Sequence, residues 1–223
     1  MPIGFRVLTR QRAVTAEQIQ RYRDLPVANV SDSMQRMTAS GAGLRPFHRR
    51  GGLVGVALTV KCRPGDNLML HHALNIAEPG DVIVVDAGGD LTNALIGELM
   101  LAVAAKKQLA GVVVNGAVRD TASIAANDFP VYARGVTHRG PYKNGPGEIN
   151  VPIAIDGMVI EPGDLIVGDA DGLLCVPLDQ VDSVYELASA KHRDEQAKLQ
   201  AIAEGRNDRR WVLSALLALG CDL

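Results

Sequence analysis

Residues 111–120, GVVVNGAVRD, follow IGELM at 96–100, and these two stretches decide how the chain is laid out. The β-branched run Val112-Val113-Val114 reads as a buried strand that empties into Gly116-Ala117-Val118-Arg119-Asp120. Upstream, DVIVVDA at 81–87 reads as another strand, and GGD follows it as a turn. Leu95, Leu99, Val103 and Ala104 recur at helical spacing within 92–109, which predicts a helix ended by Gly111. Strand, helix and strand make one βαβ unit. The thirteen residues from Gly97 to Leu109 rise about 20 Å as a helix, and the strand from Gly111 to Gly116 returns about 20 Å. Gly97 and Arg119 are therefore expected to meet.

That meeting has chemical content. With the helix effectively beginning near Leu95, Gly97, Glu98, Leu99 and Met100 supply its free backbone N–H groups, an arrangement that attracts anions. Arg119 offers a planar, permanently charged fork for a carboxylate or enolate, and Asp120 offers hard oxygen for a divalent cation. Plainer readings exist for each residue. Gly97 can be a glycine tolerated inside a longer helix at a cost of about 1 kcal/mol. Arg119 and Asp120 can be a surface ion pair. Glu98 can be a solvated first-turn acid or a carboxylate facing the metal. Asp86 and Asp90 flank the Gly-Gly turn, and turn chemistry accounts for them adequately.

The remaining pattern predicts an α/β domain with a helical C-terminal appendage. Thr15-Ala16-Glu17-Gln18 has the form of a capping box opening a helix over 15–24. A second helix is expected over 28–38 with Asn29 or Ser31 as cap, then a loop over 39–52 and a strand from Gly51 to Cys62. Asp66 is expected to cap a helix reaching Glu78. A short helix (121–127) and a strand at FPVYARG (129–135) follow Asp120, and 137–150 reads as a loop. VPIAIDGMVI and DLIVGDADGLLCVP each read as a hairpin turned at Asp-Gly. A long charged helix over 178–204 and a final helix over 208–219 complete the 223 residues. With no repeat and no linker, the whole of 1–223 is read as a single domain.

Bulk properties exclude several classes. A net charge of −2 from 23 basic and 25 acidic side chains creates no field toward nucleic acid or an anionic membrane. No apolar run is long enough to span a bilayer, and the N-terminus shows no signal-peptide pattern. Cys62, Cys175 and Cys221 are scattered and unpaired in spacing, which predicts free thiols in the cytoplasm. His71 and His72 are adjacent on a helix, diverge by about 100°, and cannot serve one metal together. Lys61, at a strand end, is the best Schiff-base candidate, with no sequence neighbour that argues for an activated amine. There is no GxGxxG, GxSxG or Cys–His nucleophile pattern.

GELM at 97–100 with GAVRD at 116–120 resembles the RraA-like family, which includes the regulators of ribonuclease activity A and the 4-hydroxy-4-methyl-2-oxoglutarate aldolases. Similar segments run through about 26–178: PGDN (64–67), EPGDVIVVD (78–86), FPVYARG (129–135) and PGDLIVGDADGLLCVP (162–177). The resemblance implies a ββα swivelling-type fold assembled as a homotrimer or homohexamer. It implies that the backbone of Gly97 to Met100 and the Arg119 guanidinium hold a pyruvate moiety. Asp120 would bind Mg²⁺ or Mn²⁺, and Glu98 would help orient water on that metal. The implied chemistry is retro-aldol cleavage of 4-hydroxy-4-methyl-2-oxoglutarate or 4-carboxy-4-hydroxy-2-oxoadipate-type keto acids to pyruvate, with oxaloacetate decarboxylation beside it. A non-catalytic protein partner of ribonuclease E, or a lyase for another keto acid, is the alternative. In the aldolase pattern an acidic residue stands three positions after the Arg-Asp aspartate; here that residue is Ser123. The Arg-rich loop at 45–50 is a candidate to reach a neighbouring subunit.

Overall fold

Valine and isoleucine dominate the centre of the fold because those strands are buried on both faces. The computed structural model describes residues 2–37 and 41–223. In chain order it contains β1 (Phe5–Val7), α1 (Ala16–Tyr22), α2 (Val27–Ser33), β2 (Arg45–Pro46), β3 (Leu53–Cys62), α3 (Leu68–Ile76), β4 (Asp81–Asp86) and β5 (Ala94–Ile96). Next come α4 (Glu98–Lys106), β6 (Gly111–Val118), α5 (Thr121–Ala126), β7 (Val131–Val136), β8 (Gly147–Ile149), β9 (Ile153–Ile155) and β10 (Met158–Ile160). Strands β11 (Leu165–Asp169) and β12 (Gly172–Val176) precede a 3-10 turn at Leu178–Gln180, α6 (Val181–Ala203) and α7 (Arg210–Ala218).

Among the described residues ten strands share one sheet, ordered β1-β8-β3-β4-β6-β7-β2, with β11 and β12 joined through β3 and β5 through β6. β3, β4, β6 and β7 are parallel neighbours, as βαβ crossovers require. Alternation along β4 sends Val82 and Val84 to one core and Ile83 and Val85 to the other. The first core includes Tyr22 of α1, Val30 of α2, and Val184 and Ala188 of α6, together with the inner residues of β9 to β12. The second includes Leu70 and Ala73 of α3 and Leu101 and Ala104 of α4. Arg119 and Asp120 follow directly on β6, so they emerge at the carboxyl ends of the parallel strands, where ligands of open α/β sheets bind.

Several expectations hold closely. Thr15 accepts from the Gln18 N–H while the Gln18 side chain accepts from the Thr15 N–H, which is the reciprocal capping box. Asp156 and Gly157 both take positive φ, 50° and 82°, to turn the β9–β10 hairpin. Cys62 and Cys175 are buried free thiols, and burial pushes the Cys62 thiol up to about 12. No helix among the described residues is long and apolar enough to cross a membrane.

Other boundaries need correction. The helix expected over 92–109 covers only 98–106. Residues 94–96 instead form β5, pairing in parallel with Ala117 and Val118 of β6. Asp90 draws the Thr92 N–H into a side-chain turn, and the Ala94 N–H goes to the Arg139 carbonyl, so neither amide is free for a helix. The loop expected over 137–150 contains β8, because 147–149 fills the gap between β1 and β3. β1 and β2 were not anticipated; strands of three and two residues are too short for a periodic signal. The second helix ends at Ser33, and its expected end at 38, with the first residues of the following loop, lies outside the described residues. Asp66 does cap α3, from one position before the N-cap Asn67, accepting the Leu68 N–H at 2.9 Å.

Candidate active site

The site is built where the end of β6 meets the start of α4. Parallel pairing of β5 with β6 carries the chain to Gly97, and the Arg119 N–H closes the junction on the Ile96 carbonyl at 3.0 Å. Gly97 is the N-cap of α4. Its φ of −151° is extended backbone open to any residue, so the requirement for glycine lies in packing. A Cβ there would overlap Asp120 Oδ2 and stand 2.9 Å from Arg119 Cγ and 3.2 Å from Arg119 Nε. The missing side chain lets both functional groups lie against the helix start.

Asp120 adopts the left-handed conformation, φ 59° and ψ 38°, which turns the chain sharply from β6 into α5. From there its Oδ2 accepts the Glu98 N–H at 2.9 Å. The amides of Leu99 and Met100 belong to the same first turn and have no acceptor within the helix. The Arg119 guanidinium lies 3.8 Å from Asp120 Oδ2, and both side chains are 44% exposed. This loose contact leaves the fork open to a ligand, unlike a closed bidentate ion pair. The meeting of Gly97 and Arg119 expected from chain arithmetic is thus present, although the helix begins later than expected.

A cleft of about 250 Å³ opens at this junction. Gly97, Leu99, Met100, Arg119 and Asp120 line it, together with Asn67, His71, Pro141 and Lys143. Glu98 is placed differently. Its amide faces Asp120, whereas the residue borders a neighbouring cavity of about 210 Å³ between α4 and α5, shared with Ser123 and Asn127. Asp86 and Asp90 do not line the cleft; Asp86 accepts from Gly88 and Asn115, and Asp90 from Thr92. Lys61 is exposed on β3 and also stands apart. Of the adjacent histidines only His71 faces the cleft, and His72 is exposed.

Sequence reasoning did not single out Asn67 or Lys143. Asn67 is buried, donates to the Leu95 carbonyl at 2.8 Å, and leaves its Oδ1 without a partner. An asparagine at a helix start reads as a cap, which hides any role toward a ligand. Lys143 lies in a Gly/Pro-rich loop whose position depends on distant bonds. The Tyr142 N–H reaches the Gly65 carbonyl at 2.8 Å, and the Asn144 and Gly145 N–H groups reach Asp66 Oδ2 at 2.7 and 2.9 Å. Burial is the largest influence on the Asp66 carboxyl and would raise it. The N–H bonds from Leu68, Asn144 and Gly145, with Arg63, outweigh it and hold Asp66 below the usual carboxylate range. His71 is pushed below its usual value, first by burial and then by the Lys143 charge.

Among the described residues no three His, Cys, Asp or Glu side chains are grouped to grip a metal. The donor set suits Mg²⁺ or Mn²⁺ better than zinc. Zinc sites take three or four protein ligands, whereas Mg²⁺ keeps several waters and needs only one or two carboxylates beside its substrate. Asp120, a half-exposed carboxylate beside a cradle with no Cβ, fits that pattern.

The Aldolase/RraA family model, RraA-like, matches residues 27–175. The chain belongs to the RraA-like family. The matched residues run from α2 into β12, and α6 and α7 lie beyond them. A relative from Halalkalibacterium halodurans, named provisionally as a 4-hydroxy-4-methyl-2-oxoglutarate aldolase, is 41% identical over 186 residues, 83% of this chain and 89% of the relative. The structure of the RNA-processing inhibitor RraA from Thermus thermophilis is similar with a TM-score of 0.64 at 32% identity, covering 69% of this chain and 93% of that one. An uncharacterized protein from Pseudomonas syringae pv. tomato matches more of the RraA-like chain, 90% against 94% of its own, with a TM-score of 0.80 at 25% identity.

Proposed function

We propose that the protein is a divalent-metal-dependent aldolase that cleaves 4-hydroxy-2-oxo acids with two or three carboxylates to pyruvate and a second keto acid. 4-Hydroxy-4-methyl-2-oxoglutarate and 4-carboxy-4-hydroxy-2-oxoadipate are the substrates it fits best, with oxaloacetate decarboxylation as a side activity. The observation that carries this reading is the convergence of first-turn amides, a guanidinium and a carboxylate on one cleft. The relative named as an aldolase supports it.

The roles follow from the chemistry of each group. The substrate carboxylate sits on the Leu99 and Met100 amides at the positive end of α4. The Arg119 fork reaches the C2 oxygen. As the C3–C4 bond breaks, its electron pair passes into a C2–C3 enolate, and Arg119 stabilises the charge growing on that oxygen. Asp120 would hold Mg²⁺ or Mn²⁺, and the bound ion would supply Lewis-acid chemistry toward the keto acid. The Asp120 carboxylate is itself steadied by the Glu98 N–H. Glu98, whose N–H bonds to Asp120 while the residue borders the neighbouring cavity, would help orient water next to the site, and the proton lost from the C4 hydroxyl balances the one gained at C3. With charge handled by metal and arginine, no Schiff-base lysine is needed, in keeping with Lys61 lying outside the cleft.

The assembly belongs to the same reading: a homotrimer or homohexamer, in the cytoplasm. The exposed Trp211, Leu213, Leu217 and Leu219 around α7 support association. A lactate-dehydrogenase-coupled pyruvate assay across 4-hydroxy-2-oxo acids, with Mg²⁺ and with EDTA, tests the proposal. Turnover with Mg²⁺ and its loss with EDTA are expected. No pyruvate from any substrate overturns it and leaves the second reading, a protein-binding regulator of ribonuclease E, which the likeness to the Thermus RraA favours. That reading requires a measurable complex with the nuclease.

A further inference from the structure

The residues lining the cleft divide by chemistry. Gly97, Leu99, Met100, Arg119 and Asp120 account for the keto-acid end of a substrate. The same cleft is also lined by His71 of α3 and Lys143 of the 141–143 loop, to which that mechanism assigns no partner. Resting on the aldolase reading, we propose that His71, with Lys143 beside it, binds the second carboxylate of the substrate and so selects dicarboxylic over monocarboxylic keto acids.

The frame around these residues is fixed. The Asn67 N–H bonds to the Tyr142 carbonyl at 3.0 Å, tying the start of α3 to the loop that carries Lys143. The His71 N–H reaches back to the Asn67 carbonyl at 3.0 Å, which sets the ring one turn further along. On the same loop, a Cβ at Gly140 would lie 3.4 Å from Arg119 Nη1, so the loop passes beside the guanidinium. Asn67 spends its amide N–H on the Leu95 carbonyl. The His71 ring and the Lys143 ammonium are the donors left for a ligand.

Their division of labour follows from their surroundings. Lys143 is exposed and supplies a full positive charge. His71 is partly buried, and both burial and the Lys143 charge disfavour its protonation. The neutral ring therefore offers a directional N–H without placing a second cation against the first. A keto acid whose pyruvate half sits at Arg119 shares the cleft of about 250 Å³ with this pair. A terminal carboxylate there meets a charge and a donor, while an apolar tail leaves the ammonium unpaired.

Binding of non-cleavable probes tests this independently of turnover. Titration calorimetry in Mg²⁺ compares pyruvate, which occupies only the keto-acid site, with 2-oxoglutarate, which adds a carboxylate at the length of the proposed substrate. In the His71→Phe variant the Kd for 2-oxoglutarate is expected to rise about tenfold, and that for pyruvate to stay within twofold. Lys143→Met is expected to behave alike, and His71→Gln, which restores an N–H donor, to recover most of the loss. Unchanged melting temperatures show that the variants fold. If 2-oxoglutarate is weakened no more than pyruvate in both His71→Phe and Lys143→Met, the assignment of this pair is wrong while the keto-acid site stands. If pyruvate fails to bind the wild-type protein, the aldolase reading and this inference fall together.

Discussion

Gly97→Ala separates the site from the fold with a single methyl group. Backbone strain does not enter, because φ is −151°. The new Cβ would overlap Asp120 Oδ2 and lie 2.9 Å from Arg119 Cγ. Reaching ordinary van der Waals contact requires the carboxylate to retreat by about 1 Å, which breaks its 2.9 Å bond from the Glu98 N–H. Both side chains are 44% exposed and free to swing toward solvent. The stability cost is therefore about 1 kcal/mol for the bond, offset by roughly 0.4–1 kcal/mol from the stiffer unfolded chain. For a chain of this size the melting temperature should move by less than about 4 °C. Catalysis has no such relief, since displacing reacting groups by about 1 Å costs on the order of 100-fold. The coupled pyruvate assay and a thermal melt, run on the same preparation, give both numbers. A variant retaining more than half of wild-type kcat/KM would refute the claim that the bare Cα at 97 positions Asp120 and Arg119.

Four further outcomes are expected. Arg119→Lys keeps the charge but loses the fork, so kcat should fall by roughly 100-fold or more; its melting temperature should stay within about 2 °C, because exposed pairs contribute little. Asp120→Asn keeps an acceptor for the Glu98 N–H but removes the charge, so the Mg²⁺ concentration for half-maximal turnover should rise on the order of tenfold or more, read by metal titration after EDTA treatment. Asp66 is held below its ordinary value near 3.8, so its contribution to stability is complete above that pH and is lost as pH falls below it through the folded value. Asp66→Asn should flatten this acid limb in denaturant titrations and cost about 2–3 kcal/mol at neutral pH, as charged hydrogen bonds to a buried carboxylate do. Tyr22→Phe removes a buried 2.6 Å bond to the Val181 carbonyl, which should cost about 1 kcal/mol, or 2–4 °C, with turnover unchanged.

The central strands and the hairpins were legible because their signals are local. Valine runs mark β4 and β6, Asp156-Gly157 supplies the two positive φ angles its turn needs, and Thr15 with Gln18 marks a helix start within four residues. The start of α4 was misplaced because Leu95 fits the helical period, yet its neighbour Ala94 is claimed by the Arg139 carbonyl 45 residues away. Gly97 still meets Arg119, because β5 pairs with β6 and the Arg119 N–H closes on the Ile96 carbonyl. Asn67, His71 and Lys143 were harder to unite. They converge because the buried Asp66 carboxylate pins the backbone at 144–145, and no spacing in the chain announces that bond.

Ser123 stands where the aldolase pattern has an acid, and the structure narrows what that departure can affect. α5 places Ser123 in the cavity it shares with Glu98, not in the cleft lined by Arg119 and Asp120. Its backbone N–H bonds to the Asp120 carbonyl at 3.0 Å, so it helps hold the turn that presents Asp120, a task any residue's amide performs. A carboxylate at 123 would place a like charge in the cavity that Glu98 borders. With serine there, Glu98 is the one carboxylate lining that cavity. Arg119 and Asp120, the groups proposed to grip the keto acid, line the other cavity. Under the aldolase reading the substitution therefore bears on kcat and leaves affinity for the pyruvate half intact.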